Sequence, residues 1–419
     1  MRKFSTYSNL FVLFILSTMV LSCSKTMSEQ EIVNGGLVIH GSVWTIDTHC
    51  DTPMDMVRDE FDPGVRHDIP GISSSKVDFP GMIQGGLDAQ FFACYVPQRE
   101  RNKLGYINAK AIVDQAINAV EASCNKYVNL AEIAFTPQDA VRLEKMGKRA
   151  IYLGIENGFA VGKNKDLVSY FYNRGICYIT LCHSRNNDIC DSSTDEGGLE
   201  WNGLSPFGEE VVQEMNRLGM IIDVSHISDS SFYDVLQRTK APVMASHSCC
   251  RALCNHPRNL SDDMLMALAE NGGVIQICFV GDYLKEILPN PEVSAEWKAL
   301  REKYGNHKKI TDPDQLASFR LEERALFEKY PECVASVKDV VDHIDHVVQL
   351  VGEDYVGIGT DFDGGGEVLG AYDVSELPNV TIELVRRGYS EEQIRKIWGG
   401  NFMRVFREVE RVSEVMKED

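Results

Sequence analysis

Short apolar runs rich in β-branched residues recur along the chain, and most are separated by stretches whose apolar positions repeat with helical spacing. The runs cover residues 43–49, 87–95, 150–156, 176–183, 220–226, 242–247, 273–279 and 355–361; the helical patterns include 109–130, 208–218, 229–239, 262–271 and 337–351. Strands that are apolar almost throughout, rather than at every second position, predict a parallel sheet covered on both faces. Eight such runs alternating with helices predict an α/β fold, a closed (β/α)8 TIM-like barrel rather than an open doubly wound sheet. No internal repeat or Pro/Gly/Ser-rich linker interrupts the pattern, so residues 30–415 read as a single barrel domain.

The polar exceptions carry the functional information. Strand after strand runs apolar and then stops on an ionisable side chain: His49 with Asp51, Glu156, His183, His226, His247 and Asp361. The carboxyl ends of parallel barrel strands open on one mouth, so residues scattered between positions 49 and 361 become neighbours there. One histidine closing an apolar run is usually a hydrogen-bonded rim residue. Six of eight runs ending in this way point instead to an active site at the carboxyl ends of the strands.

Composition then narrows the partners. With 44% hydrophobic and 25% charged residues the chain has an ordinary globular balance, and 62 acidic against 42 basic residues give a net charge of −20. Such a surface has no basic face for phosphates, which excludes nucleic acid as a partner. At the amino terminus, Arg2 and Lys3 precede an uncharged apolar stretch over residues 10–21. It falls short of the roughly 20 residues of a membrane span, and residues 1–22 therefore read as a signal peptide. The stretch ends in Val20-Leu21-Ser22-Cys23-Ser24, which resembles the lipobox of bacterial lipoproteins. That predicts export to a bacterial cell envelope and attachment to the membrane through lipid on Cys23. The other eleven cysteines are odd in number, contain no C-x-x-C pair and often lie inside apolar runs, which predicts free core thiols rather than a disulfide framework.

The residues at the strand ends suit metal-assisted hydrolysis. In His49-Cys50-Asp51 an imidazole and a carboxylate two positions apart share a face, and this nitrogen and oxygen donor set suits Zn²⁺, with Mn²⁺, Co²⁺ or Fe²⁺ as further occupants. His226 and His247 add two imidazoles, and Glu156 adds a carboxylate able to bridge. These donors exceed the three that a catalytic zinc commonly keeps, so they predict two ions, about 3.5–4 Å apart. Asp361 is suited to take a proton from water and hand it to a leaving amine. Its rival Asp363 also reads as a turn residue before Gly364. His183 can hydrogen-bond a substrate carbonyl or oxyanion, and Arg258, in the loop after residues 242–247, can hold a carboxylate bidentately. A carboxylate held there would measure off one residue from the scissile bond. His343 and His346 lie at helical spacing and read as a packed helix face.

Together with their flanks, these residues resemble the membrane dipeptidase (renal dipeptidase) family of zinc dipeptidases over nearly all of the mature chain. The likeness rests on Asp47-Thr48-His49-Cys50-Asp51, Gly154-Ile155-Glu156-Asn157-Gly158, Ile222-Asp223-Val224-Ser225-His226, Ala245-Ser246-His247-Ser248, Pro257-Arg258-Asn259 and Gly359-Thr360-Asp361-Phe362-Asp363-Gly364. The resemblance implies a binuclear zinc centre with His49 and Asp51 on one ion, His226 and His247 on the other, and Glu156 between them. It also implies that His183 meets the scissile carbonyl, Arg258 the terminal carboxylate, Asp361 the proton, and Tyr283 the substrate. Members of the family cleave dipeptides, including those with a carboxyl-terminal D-residue.

Two alternatives stay open at this point. Another amidohydrolase-like barrel would favour a lysine where His183 stands. A non-catalytic solute-binding lipoprotein would not require Asp361 beside a metal site. The charged, mostly helical segment 282–336 is long for a βα connection and is assigned either to a lid or to a homodimer contact.

Overall fold

Parallel strands follow one another around a common axis in the order in which the chain lays them down. They are β1 (Ile46–Cys50), β2 (Ala89–Tyr95), β4 (Arg149–Glu156), β5 (Ile176–Thr180), β6 (Ile221–Asp223), β7 (Met244–Ser248), β8 (Val274–Ile277) and β9 (Val356–Ile358). This computed structural model describes residues 27–58, 61–67, 75–287, 290–305, 310 and 312–418, so the expected signal peptide over residues 1–22 and the expected lipid site Cys23 lie outside the described residues. The ring is nearly closed. Beyond the last strand Phe362 pairs with Cys50, the Asp51 amide donates to the Phe362 carbonyl at 2.8 Å, and the Asp361 amide donates to the His49 carbonyl at 3.1 Å.

Two details differ from the sequence expectation. An additional strand, β3 (Ala131–Ile133), lies off the ring and extends the edge of β4, with Ala131 opposite Arg149. Three residues are too few to show a periodicity, and the helix expected over 109–130 is in fact Lys103–Lys126. Several strands also end before their ionisable residue. β5 stops at Thr180, β6 at Asp223 and β9 at Ile358, so His183, His226 and Asp361 sit on the first residues of the loops.

Alternation along the strands sorts the interior. Ile46, Phe91, Tyr152, Tyr178, Met244 and Val274 pack with Phe402 and Phe406 of the carboxyl-terminal helix Asn401–Glu418, which plugs the amino-terminal end of the barrel. The intervening residues, such as Leu153, Ile155, Ile222 and Ile275, pack outward with Val113, Val211 and Leu265 of the helices. Helices start sharply after the mouth loops because serines cap them: Ser205, Ser228 and Ser261 accept from the amides of Gly208, Ser231 and Met264. The segment 282–336 contains helices Pro291–Tyr304 and Pro313–Lys329. It is docked on the loop after β9 through Arg324 to Glu376 at 2.6 Å and Tyr372 to Glu323 at 2.9 Å.

The described cysteines are all free, ten buried and Cys333 partly so, as core thiols should be. His343 accepts from the Cys250 amide at 2.9 Å and bonds the Leu284 carbonyl at 2.8 Å, so it is a packing residue.

Candidate active site and metal centre

The strand-end residues converge. Glu156 Oε1 lies 2.9 Å from His226 Nε2, 3.4 Å from His247 Nε2, 3.6 Å from His183 Nε2 and 3.9 Å from His49 Nε2. His49 Nε2 in turn lies 3.8 Å from Asp51 Oδ1 and 3.9 Å from Asp361 Oδ1. All five proposed ligands and Asp361 therefore share one cluster. Its backbone is held in an unusual shape: among the described residues, the non-glycine positions with positive φ are Asn157, Asn202, His226, Asp361 and Asp363, and four of these lie in or beside the cluster. A left-handed turn directly after a strand swings the side chain back over the mouth, a conformation that the surrounding hydrogen bonds must enforce. Gly364 leaves room for this, since a Cβ there would stand 2.1 Å from Asp361 Oδ1.

Hydrogen bonds fix which imidazole nitrogen faces inward. The Tyr178 hydroxyl donates to the Thr48 carbonyl at 3.3 Å and so accepts from His49 Nδ1 at 2.9 Å. The Ser246 hydroxyl donates to Asp223 Oδ2 at 2.6 Å and so accepts from His247 Nδ1 at 2.8 Å. In both histidines Nε2 is left as a lone pair aimed at the acids, the arrangement that orients imidazoles toward a metal. The electrostatics agree. Burial, followed by the charge of Arg258, holds His49 at about 3, His183 at about 4 and His226 well below the usual range; burial, followed by the neighbouring His49, does the same to His247. Burial and the charge of a neighbouring acid, Asp361 for Asp51 and Asp51 for Glu156, push both well above the carboxylate range, and burial raises Asp361 to about 7 against the pull of Arg258.

These donors fit a metal centre on direct evidence. His49 Nε2, Asp51 Oδ1 and His226 Nδ1 are buried polar atoms without a hydrogen-bond partner, and His226 Nε2 stands 2.8 Å from His247 Nε2. Neutral lone pairs and acids crowded into a dry mouth have no donor to satisfy them; divalent cations would. Three overlapping groups lie within bonding reach of an ion: His49, His247 and Asp361; Glu156, His183 and His226; and His49, Asp51 and Glu156.

Arg258 lies beside this cluster. It is 3% exposed and donates to the His247 carbonyl at 3.0 Å, while its Nε and Nη1 have no partner. Its guanidinium stands 5.5 Å from the Tyr283 ring, so the structure brings these two predicted residues together. Asp363 takes the structural role: it accepts from Thr52 and Ser75 hydroxyls, each at 2.6 Å, and from the Lys76 amide at 2.7 Å.

The sequence profile of the membrane dipeptidase family, peptidase family M19, matches residues 38–419. The chain belongs to this family. It is 34% identical over 366 residues to dipeptidase tcpJ of Claviceps purpurea, covering 86% of this chain and 74% of that one. It is 30% identical over 404 residues to dipeptidase verJ of Clonostachys rogersoniana, covering 94% and 92%. Among solved structures, the probable dipeptidase PvdM of Pseudomonas aeruginosa matches with a TM-score of 0.76 at 29% identity, over 91% of this chain and 99% of that one. A Rhodobacter sphaeroides metallo peptidase, liganded with a phosphinate mimic of the dipeptide L-Ala-D-Ala, shares the fold with a TM-score of 0.68 at 21% identity, over 88% and 99%.

The enzyme is thus a metallo-dipeptidase, a hydrolase of peptide bonds, and its mouth holds residues that strand patterns alone did not mark. Tyr178, within β5, accepts from His49 Nδ1 at 2.9 Å and so holds that ring. Tyr95, at the end of β2, meets the His183 ring edge-on at 4.9 Å. Both were legible only as apolar members of buried strands, because nothing in the period separates a tyrosine that packs from one whose hydroxyl is used.

Proposed function

We propose that this member of the family hydrolyses dipeptides, including those with a carboxyl-terminal D-residue, at a centre of two zinc ions. His49 and Asp51 would hold one ion, His226 and His247 the other, with Glu156 between them. Zinc, when bound there, supplies a water acidic enough to attack at neutral pH and stabilises oxyanion charge. The remaining work belongs to the chain. Arg258 binds the substrate's free carboxylate through Nε and Nη1, with Tyr283 alongside. His183, whose Nε2 lies 3.6 Å from Glu156 Oε1, donates a hydrogen bond to the scissile carbonyl. Asp361 accepts the proton of the attacking water at Oδ1 and delivers it to the departing amine.

The observation that carries this reading is the juxtaposition of two sets of unsatisfied buried atoms: the metal-type donors His49 Nε2 and Asp51 Oδ1, and guanidinium N–H groups on Arg258. The first set calls for cations, the second for an anion, and a dipeptide's carboxylate answers the second. Purified protein supplied with zinc should hydrolyse L-Ala-D-Ala and lose that activity with a chelator. Arg258→Ala should cut kcat/KM by about 2–4 kcal/mol of transition-state binding. No hydrolysis of any dipeptide by zinc-loaded protein, or an Arg258→Ala effect below about 0.5 kcal/mol, overturns the reading. The leader and Cys23 add a location, the membrane of a bacterial cell envelope. Intact mass of the membrane fraction tests it: a chain still beginning at residue 1 in the cytosol would refute it.

A further inference from the structure

Two fully buried carboxylates near the mouth, Asp47 and Asp223, belong to none of the metal-type groups. They make the same set of bonds in two different places. Asp47 Oδ1 accepts from the amide two residues on, His49 at 3.2 Å, and from the Thr360 amide across the seam at 2.8 Å, while its Oδ2 accepts from the Thr360 hydroxyl at 2.6 Å. Asp223 Oδ1 accepts from the amide two residues on, Ser225 at 3.0 Å, and from the Ser246 amide across the seam at 2.8 Å. Its Oδ2 accepts from the Ser246 hydroxyl at 2.6 Å and from Thr180 at 2.5 Å.

The places are not arbitrary. The β6–β7 seam has a single ladder pair, Asp223 opposite Met244, and the β1–β9 seam has only the isolated pair of Cys50 with Phe362. The other neighbouring strands of the ring share three or more pairs each. At the two seams where backbone pairing is thinnest, a carboxylate takes the amides that a ladder would otherwise satisfy. An acid suits this because every facing group is a donor, whereas an asparagine would turn an NH₂ toward one of them. The seams are also those that carry the site: β1 and β9 lead to His49, Asp51 and Asp361, and β6 and β7 lead to His226 and His247. The Thr48 hydroxyl, donating to the Ser246 carbonyl at 2.7 Å, ties one clamp to the other.

We infer that Asp47 and Asp223 are paired positioning residues, each clamping one thin seam of the barrel and thereby setting the geometry of one half of the metal centre. The assignment of one ion to each half rests on the proposed binuclear reading; the seam clamp itself does not. The test uses the full-length protein with Asp47→Asn, Asp223→Asn and two milder variants, Thr360→Val and Ser246→Ala, which keep the backbone amides and remove a hydroxyl that donates to the carboxylate; because the Ser246 hydroxyl also accepts from His247 Nδ1, zinc binding at that seam is judged on Asp223→Asn. In metal-stripped protein, hydrogen exchange read by mass spectrometry should quicken in peptides spanning residues 48–50 and 359–362 for Asp47→Asn and Thr360→Val. For Asp223→Asn and Ser246→Ala it should quicken only around residues 224–226 and 245–248.

Zinc titration against a chromophoric chelator gives the second readout. Each single variant should keep one tightly held ion and bind the other about 10–100-fold more weakly. The double variant Thr360→Val with Asp223→Asn should weaken both. Exchange that is unchanged, or that quickens evenly across the barrel in every variant, overturns the clamps. Equal weakening of both ions by each single variant overturns the division between halves. A parent protein that binds no zinc overturns the binuclear reading, and the exchange measurement still judges the clamps separately.

Discussion

At the amino-terminal end of the barrel Phe91 lies 5.0 Å from Tyr152, 5.1 Å from Tyr178 and 5.4 Å from Phe402, an aromatic floor in which the Tyr152 hydroxyl donates to the Thr136 carbonyl at 2.8 Å. At the opposite end the same strands run out into His49, Glu156, His226 and His247, which crowd together within 2.9–3.9 Å of the Glu156 carboxylate and leave His49 Nε2 without a hydrogen-bond partner. The floor is organised for stability, with large rings filling space and the carboxyl-terminal helix closing the opening. The mouth gives up stability: it buries like charges, holds His226 and Asp361 in left-handed turns and leaves an arginine half satisfied. Tyr178 belongs to both ends, its ring in the floor and its hydroxyl on His49.

Substitutions should separate the two ends. The largest effect is expected from Asp361→Asn, which should lower kcat by about 10²–10⁴-fold, with no loss of thermal stability because a buried acid among acids is neutralised. Steady-state kinetics beside thermal unfolding decide it, and an unfolded variant would mean the mouth carries more stability than its unsatisfied atoms suggest. Phe402→Ala should do the reverse. Removing a ring that is 1% exposed should cost about 3–5 kcal/mol in denaturant unfolding while the folded fraction keeps its kcat.

Gly154→Ala should blur the boundary, because a Cβ there would stand 2.3 Å from the Tyr178 ring. We expect a loss of about 1–3 kcal/mol of stability, together with lower activity as the hydroxyl is pushed off His49. Full activity in a destabilised Gly154→Ala protein would show that floor and mouth are uncoupled.

The smallest effect concerns a buried histidine away from both ends. His40 bonds Thr381 Oγ1 at 2.7 Å and the Gly85 carbonyl at 2.8 Å, and burial lowers its pKa below 6.5 even though the carbonyl pulls it up. The unfolded chain therefore takes up this proton first on acidification. Its contribution to stability is present above 6.5 and is lost as pH falls toward the folded value. A His40→Gln variant should show a shallower decline in unfolding free energy between about pH 7 and about pH 5.5 than the parent. Here both nitrogens are satisfied, which is what separates a structural histidine from those of the mouth.

Much of the site could be read from the strand pattern, because a parallel strand announces its buried length by unbroken apolarity and its open end by the residue that breaks it. His49, Asp51, Glu156, His226, His247 and Asp361 were visible in this way, and Arg258 followed from its place in a mouth loop. The short β3 was not visible, since a strand of three residues has no period. Nor were the roles of Tyr178 and Ser246, whose hydroxyls act on partners 129 residues away and next door respectively through bonds that only the closed barrel creates.

The sequence alone determined the fold class, which ionisable groups follow each apolar run, and the family, because each of these depends on local order: period, spacing and neighbouring residues. Tertiary structure alone decided that the lone pairs of those groups face one another, that Asp361 rather than Asp363 enters the cluster, and that Arg258 keeps free N–H groups beside it. Those facts depend on which strands meet across the barrel and on left-handed turns at two residues, and neither is encoded in any one stretch of chain.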